Sequence, residues 1–239
     1  MAADRHLEVL RVRPPPRDEE DDESRERIAA LDERLPRPPF LGVLLGSVKA
    51  GKSTMLANLL LRFYRGVFAR VIVYSPTARN DDTWWWALED DDITIVDEHL
   101  DRLDEVFAEI VKEKAAHRET AREQWVHIFD DCLGLLRPQT SPKAFVTHFA
   151  TRYRHSRNSM VVSTQLFRAL PPMVRANASW YAIWGAKNGR ESAKIDDEFS
   201  GMFPTVLEML AEATAVPYRP LVLDLREVTA RAGFDGPIL

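Results

Sequence analysis

The run Gly46-Ser47-Val48-Lys49-Ala50-Gly51-Lys52-Ser53-Thr54 has the residue types and spacing that a polyphosphate requires. Gly46 and Gly51 let the backbone curl so that successive N–H groups point inward at phosphate oxygens. Lys52 can then reach the β and γ phosphates, and the Ser53 hydroxyl is placed for Mg²⁺. Lys49 adds a charge beside the same loop, either as a phosphate contact or as a solvated side chain. The expected ligand is a nucleoside triphosphate with Mg²⁺. The competing reading is a plain glycine turn between a strand and a helix.

A second group of residues narrows the chemistry. Val126-His127-Ile128-Phe129-Asp130-Asp131 is an apolar strand that delivers two adjacent carboxylates at its C-terminal end, the edge where open α/β sheets bind ligands. One carboxylate can hold the Mg²⁺ shell and the other can polarise an attacking water. Asp130 is assigned to the metal and Asp131 to the base, with the reverse order as the alternative. A later apolar strand ends in Ser163-Thr164-Gln165, and the Gln165 amide is a candidate to orient that water or sense the γ phosphate. The order phosphate strand, acidic strand, polar-ended strand suits P-loop ATPases in which the third strand lies between the other two.

These groups need a parallel sheet to position them. Leu41–Leu45 reads as a buried strand before the loop, and Lys52 to about Tyr64 as the helix after it, with its dipole aiding the anion. Arg70–Tyr74, Ile93–Val96, Trp125–Phe129, Ser159–Gln165, Trp180–Trp184 and Leu221–Leu225 read as further strands, the last closing the sheet. Helices are expected over Leu100–Ala116, Ser141–His155 (capped by Ser141, with Pro142 in its first turn), Ser192–Phe203 and Thr205–Ala215. The fold class that follows is α/β: a P-loop NTPase whose mostly parallel sheet is sandwiched by helices. Residues 1–38 form an acidic, proline-rich extension, 39–228 the ATPase domain and 229–239 a tail. Leu7–Val12 could add a strand within that extension.

With the motifs in place, the chain resembles the genome-packaging ATPases of large double-stranded DNA viruses, the poxvirus-type enzymes of the FtsK-HerA superfamily, RecA-like in architecture. The resemblance rests on Gly46 to Thr54, Asp130-Asp131, Arg154-His155 ahead of the next strand, Ser163-Thr164-Gln165, and Leu170-Pro171-Pro172-Met173-Val174-Arg175-Ala176-Asn177. It spans roughly residues 40 to 226. It implies an ATP-driven motor acting on double-stranded DNA as a homo-oligomeric ring, with a capsid or portal-vertex protein as partner, in host cytoplasm, viral factory or virion. It also implies that an arginine from a neighbouring subunit completes the site, with Arg154, Arg157 and Arg175 as candidates. The competing classes are a cellular or mobile-element DNA pump, a P-loop kinase acting on a small acceptor, and a non-hydrolysing nucleotide-binding scaffold. Adjacent carboxylates and a polar-ended strand suit water activation better than an acceptor site.

Composition sets the outer bounds. The 239 residues suffice for one α/β domain, and no apolar run approaches the length that spans a bilayer. One cysteine, Cys132, excludes an internal disulfide and a cysteine-rich zinc site. The net charge of -5 argues against a surface that binds nucleic acid all over. The charge is unevenly spread, however. Asp18–Asp22 and Asp90–Asp92 are acidic runs, while Arg152, Arg154, Arg157, Arg168 and Arg175 gather elsewhere. Of Trp84, Trp85 and Trp86, at least one must pack inward, because three consecutive rings cannot share a face. His127 reads as a core histidine, and His148 and His155 lie seven apart on the expected helix with no Cys/His set to support a metal.

Overall fold

The computed structural model describes residues 25–78, 84, 93–136, 138, 141, 143–186, 188–234 and 236–239. The Leu7–Val12 segment, both acidic runs, Trp85, Trp86 and Pro142 lie outside the described residues. Among the described residues, eight strands form one sheet in the order β3-β2-β4-β5-β1-β6-β7-β8. They are β1 Leu41–Leu45, β2 Arg70–Tyr74, β3 Ile93–Val96, β4 Trp125–Asp130, β5 Asn158–Thr164, β6 Trp180–Ile183, β7 Leu221–Asp224 and β8 Thr229–Ala232. β1 to β6 run parallel, and β7 and β8 add an antiparallel end.

The central strands are buried on both faces, which is why they read as near-continuous apolar runs. Along β1, Leu41, Val43 and Leu45 enter one core while Leu44 enters the other. The first core is covered by α2 (Leu103–Ala116), α4 (Phe145–Phe149), α6 (Gly189–Phe199) and α7 (Val206–Thr214). The second is covered by α1 (Lys52–Asn58), which continues as a π-helical turn through Phe63, and by Leu31 and Leu35 from the N-terminal side. α3 (Arg118–Arg122) and α5 (Pro172–Asn177) complete the helices. Gly42 is required by a close approach, because a Cβ there would sit 2.2 Å from the Trp180 ring.

Three sequence expectations need correction. The helix expected over Ser141–His155 is α-helical only from Phe145 to Phe149, with a separate 3-10 turn at Tyr153–Ser156. Its start is fixed by a distant group: Asp104 Oδ1 accepts from the Val146 N–H at 2.7 Å, while Ser141 Oγ accepts only from Lys143 N. His148 and His155 therefore stand on different elements. The sheet also does not close at β7, since β8 pairs antiparallel with it and Arg231 bridges Ile238. Among the described residues, no helix is long and apolar enough to cross a membrane.

Candidate active site

The loop after β1 is shaped by positive backbone φ at Lys49 (63°) and Gly51 (98°), conformations that glycine adopts without cost and other residues seldom do. Gly46 is confined by its neighbour, since a Cβ there would lie 2.9 Å from Trp184 Cβ. The Gly46 N–H donates to Thr164 O at 3.1 Å, which ties the loop to the end of β5. Lys52 is buried, and its Nζ donates to Gly46 O at 2.9 Å and Ser47 O at 3.1 Å. Burial pulls its pKa down, and the charges of Asp131 and Asp130 oppose that shift.

β5 lies between β1 and β4, so the strand ends carrying Gly46, Gln165 and Asp130-Asp131 are side by side at one sheet edge. Asp130 is buried, and its Oδ2 accepts from Ser53 Oγ at 3.2 Å and from Trp84 Nε1 at 3.1 Å. Burial raises the Asp130 pKa; the neighbouring Ser163 hydroxyl, Trp84 and Ser53 pull it down, while the charge of Asp131 adds to the rise. Its other oxygen, Oδ1, is buried and, like the hydroxyl of its register partner Ser163, meets no hydrogen-bond geometry within the described residues, so those two groups influence each other only as close neighbours. Such an orphaned carboxylate oxygen, on a side chain whose other oxygen accepts from the Ser53 hydroxyl, suits a divalent cation, and Asp130 and Ser53 would hold Mg²⁺. Among the described residues, no cluster of three or more His, Cys, Asp or Glu offers another metal site.

Asp131 is disposed differently from Asp130. It is exposed, has φ 50° and lines a cavity of about 830 Å³ together with Lys49 to Met55. Aspartate tolerates this left-handed backbone better than most residues. Gln165 is half-buried just beyond β5. The chain after it is anchored by Glu191, a buried carboxylate on α6 whose Oε2 accepts from the Phe167 N–H at 2.8 Å. Asn188 caps that helix by accepting from Arg190 N and Glu191 N.

The three candidate arginines do not line the cavity at the loop. Arg154 and Arg157 precede β5, at the opposite sheet edge, where they line a second cavity with Arg25 and Arg37. Arg154 Nε donates to Tyr153 Oη at 3.1 Å, and Arg157 Nη1 to Arg122 O at 2.8 Å. Arg175, on α5, donates to Glu198 Oε2 at 3.0 Å and lies over the Phe167 ring at 5.4 Å. His127 is enclosed by Tyr74 Oη (3.1 Å) and Asn158 Oδ1 (3.2 Å) and contacts no ligand-binding group.

Sequence reasoning missed three contributors. Trp84 was legible only as an inward-packing ring, because its partner Asp130 lies 46 residues away. Glu191 sits within an ordinary polar helix start. Tyr218, whose carbonyl accepts from Trp184 Nε1 at 2.8 Å beside the phosphate loop, lies in a turn with no motif. The Tyr218 φ of 63° leaves no trace in residue type.

No protein-family model matches the chain, and no curated protein matches it by sequence. Solved structures do. The genome packaging NTPase B204 from Sulfolobus turreted icosahedral virus 2, in complex with ATP-gammaS, matches with a TM-score of 0.60 at 18% identity, covering 81% of this chain and 96% of that one. The same NTPase with AMPPCP matches at 0.61 and 16%, covering 82% and 97%. EccC (ATPases 2 and 3) from Thermomonospora curvata matches at 0.51 and 11%, covering 80% of this chain and 36% of that one. Identities this low speak to fold, and the chain has the fold of the P-loop ATPases of the FtsK-HerA type.

Proposed function

We propose that this chain is an ATP-hydrolysing motor that translocates double-stranded DNA, acting as a ring of identical subunits that packages a viral genome into a capsid. The observation that carries the hydrolytic half is the side-by-side placement of the phosphate loop, Gln165 and Asp130-Asp131, with β5 between β1 and β4. The DNA half is supported by likeness of fold to a genome packaging NTPase over nearly all of that protein's length.

In this reading the loop N–H groups from Gly46 to Thr54 cradle the phosphates. Lys52 Nζ exchanges its two carbonyl acceptors for β and γ oxygens. Ser53 and Asp130 would hold Mg²⁺, which would neutralise charge on the phosphate oxygens when bound. Asp131 accepts the proton of the attacking water, and Gln165 orients that water. Asp130 is too enclosed for this task, since its hydrogen-bonded oxygen is already committed to Ser53 and Trp84. An arginine of the next subunit completes the site. Arg154, Arg157 and Arg175, all remote from their own loop cavity, are the candidates. A capsid or portal-vertex protein is the proposed docking partner, and host cytoplasm or a viral factory the setting.

The test is ATP turnover measured with and without duplex DNA, for the wild type and Lys52→Ala. The motor reading expects turnover to rise with DNA and to collapse in the variant. Turnover indifferent to DNA but dependent on a small phosphate acceptor would replace this reading with a kinase.

A further inference from the structure

The cavity that contains the phosphate loop extends well past it. Its far walls come from both ends of the described chain: Asp32, Arg34 and Leu35 from the N-terminal side, and Tyr218 and Phe234 from the C-terminal side, with Phe63 from the turn after α1. The N-terminal group precedes the first strand and lies within the stretch that the sequence reads as an extension. We propose that these two chain ends form a clasp for the nucleoside end of the triphosphate, so that the segment before β1 is part of the nucleotide site.

Continuity is the first argument. Lys49 to Met55 line the same cavity as Leu35 and Tyr218, so a triphosphate seated on the loop has its nucleoside end directed either into this space or into solvent. Size is the second: about 830 Å³ falls within the range of about 300–1,000 Å³ usual for small-molecule sites. Lining chemistry is the third. Tyr218 is 73% exposed and Phe63 43% exposed, which leaves aromatic surface at the cavity open to a flat ligand. Such rings stack on any base.

The polar part of the wall is organised as well. Asp32 Oδ1 accepts from Arg34 Nε at 2.8 Å and from the Arg34 N–H at 3.0 Å, so the planar guanidinium is held in one orientation by a local carboxylate. That contact also keeps the Asp32 carboxyl well below the usual carboxylate range, and an ionised acceptor stands beside a fixed donor at the cavity rim. A base edge or a ribose hydroxyl offers the complementary groups. Leu35 and Phe234 are buried in the second core, which anchors each half of the clasp to the sheet.

This inference rests on the nucleotide reading of the loop, and the test separates the two. Titration calorimetry of the full chain with Mg²⁺ compares ATP with inorganic tripolyphosphate, for the wild type, Tyr218→Ala and Arg34→Gln. Both substitutions are at exposed positions, so folding is retained. The clasp predicts that the wild type binds ATP more tightly than tripolyphosphate, that Arg34→Gln loses about tenfold in ATP affinity with tripolyphosphate affinity unchanged, and that Tyr218→Ala, whose ring also packs against Gly51 of the loop, lowers the ratio of ATP to tripolyphosphate affinity by about tenfold. Equal affinity of the wild type for ATP and tripolyphosphate, or variants that leave ATP affinity intact, would overturn the clasp while leaving the phosphate loop in place. Failure of the wild type to bind either ligand would overturn the loop reading and the clasp together.

Discussion

The indole Nε1 of Trp84 donates to Oδ2 of Asp130 at 3.1 Å, so a tryptophan from the segment after β2 holds the carboxylate at the end of β4. Burial already raises the Asp130 pKa, and this hydrogen bond is one of the contacts that lower it. Trp84→Phe should therefore raise it further. Because the metal takes the ionised form, Mg²⁺-dependent ATP binding falls as pH drops through that pKa, and the fall should begin at a higher pH in the variant. Stability should drop by about 1–3 kcal/mol as a buried carboxylate oxygen loses one of its two donors. ATP titrations from acid to neutral pH, with chemical denaturation alongside, check both outcomes.

Lys114 should give the fold a pH dependence of its own. The side chain is buried at the end of α2, where its Nζ shares its N–H groups among four acceptors within reach, Glu123 O, Ser156 O, Arg157 O and Asn158 Oδ1. Burial holds its pKa down to about 7, against the opposing charge of Glu123. An unfolded lysine titrates near 10.4. Between about pH 7 and pH 10 the unfolded chain thus holds a proton that the folded chain has shed, and stability rises with pH across that window. Lys114→Met should flatten this slope and, by stranding several acceptors, cost about 2–3 kcal/mol at neutral pH. Urea unfolding at several pH values measures both.

Gly42→Ala tests the packing that sets the position of β1. The added methyl would meet the Trp180 ring at 2.2 Å, in a core where β1 and β6 are paired. A loss of about 1–3 kcal/mol is expected from overpacking, with partial recovery in Gly42→Ala/Trp180→Phe. Thermal unfolding of the single and double variants decides it.

The strands and the phosphate loop were legible because each is announced locally. Leu41–Leu45 is an apolar run ending in glycine, and Arg70–Tyr74 and Trp125–Asp130 are runs of β-formers. What was illegible depends on partners far along the chain. The Asp104 contact that starts α4 at Phe145 spans 42 residues, and propensity over Ser141–His155 says nothing of it. β8, Thr229–Ala232, is too short and too weakly apolar to stand out, and exists through its pairing with β7. At the site, Lys52, Ser53, Asp130 and Asp131 follow from motif spacing, whereas Trp84 and Tyr218 enter only through tertiary contact.

The proposed trans arginine has a direct test in mixtures of two variants. Arg175→Ala and Asp131→Asn subunits, each inactive alone, should regain part of the ATPase activity when mixed, because some sites then combine an intact Asp131 with a neighbour's Arg175. Loss of the arginine alone is expected to cost about a thousandfold in turnover. No recovery on mixing, or an active Arg175→Ala protein, would shift the role to Arg154 or Arg157.

The division of labour between the two carboxylates is the centre of this account, and Asp131→Asn isolates it. Asp131 is exposed and lines the loop cavity, so the substitution leaves the buried contacts of Asp130 in place. ATP affinity and steady-state ATP hydrolysis should be measured on the same preparation with Mg²⁺. Affinity is expected within about threefold of wild type and turnover reduced by about 10²–10⁴-fold, the loss of a general base. Turnover equal to wild type would contradict that division of labour.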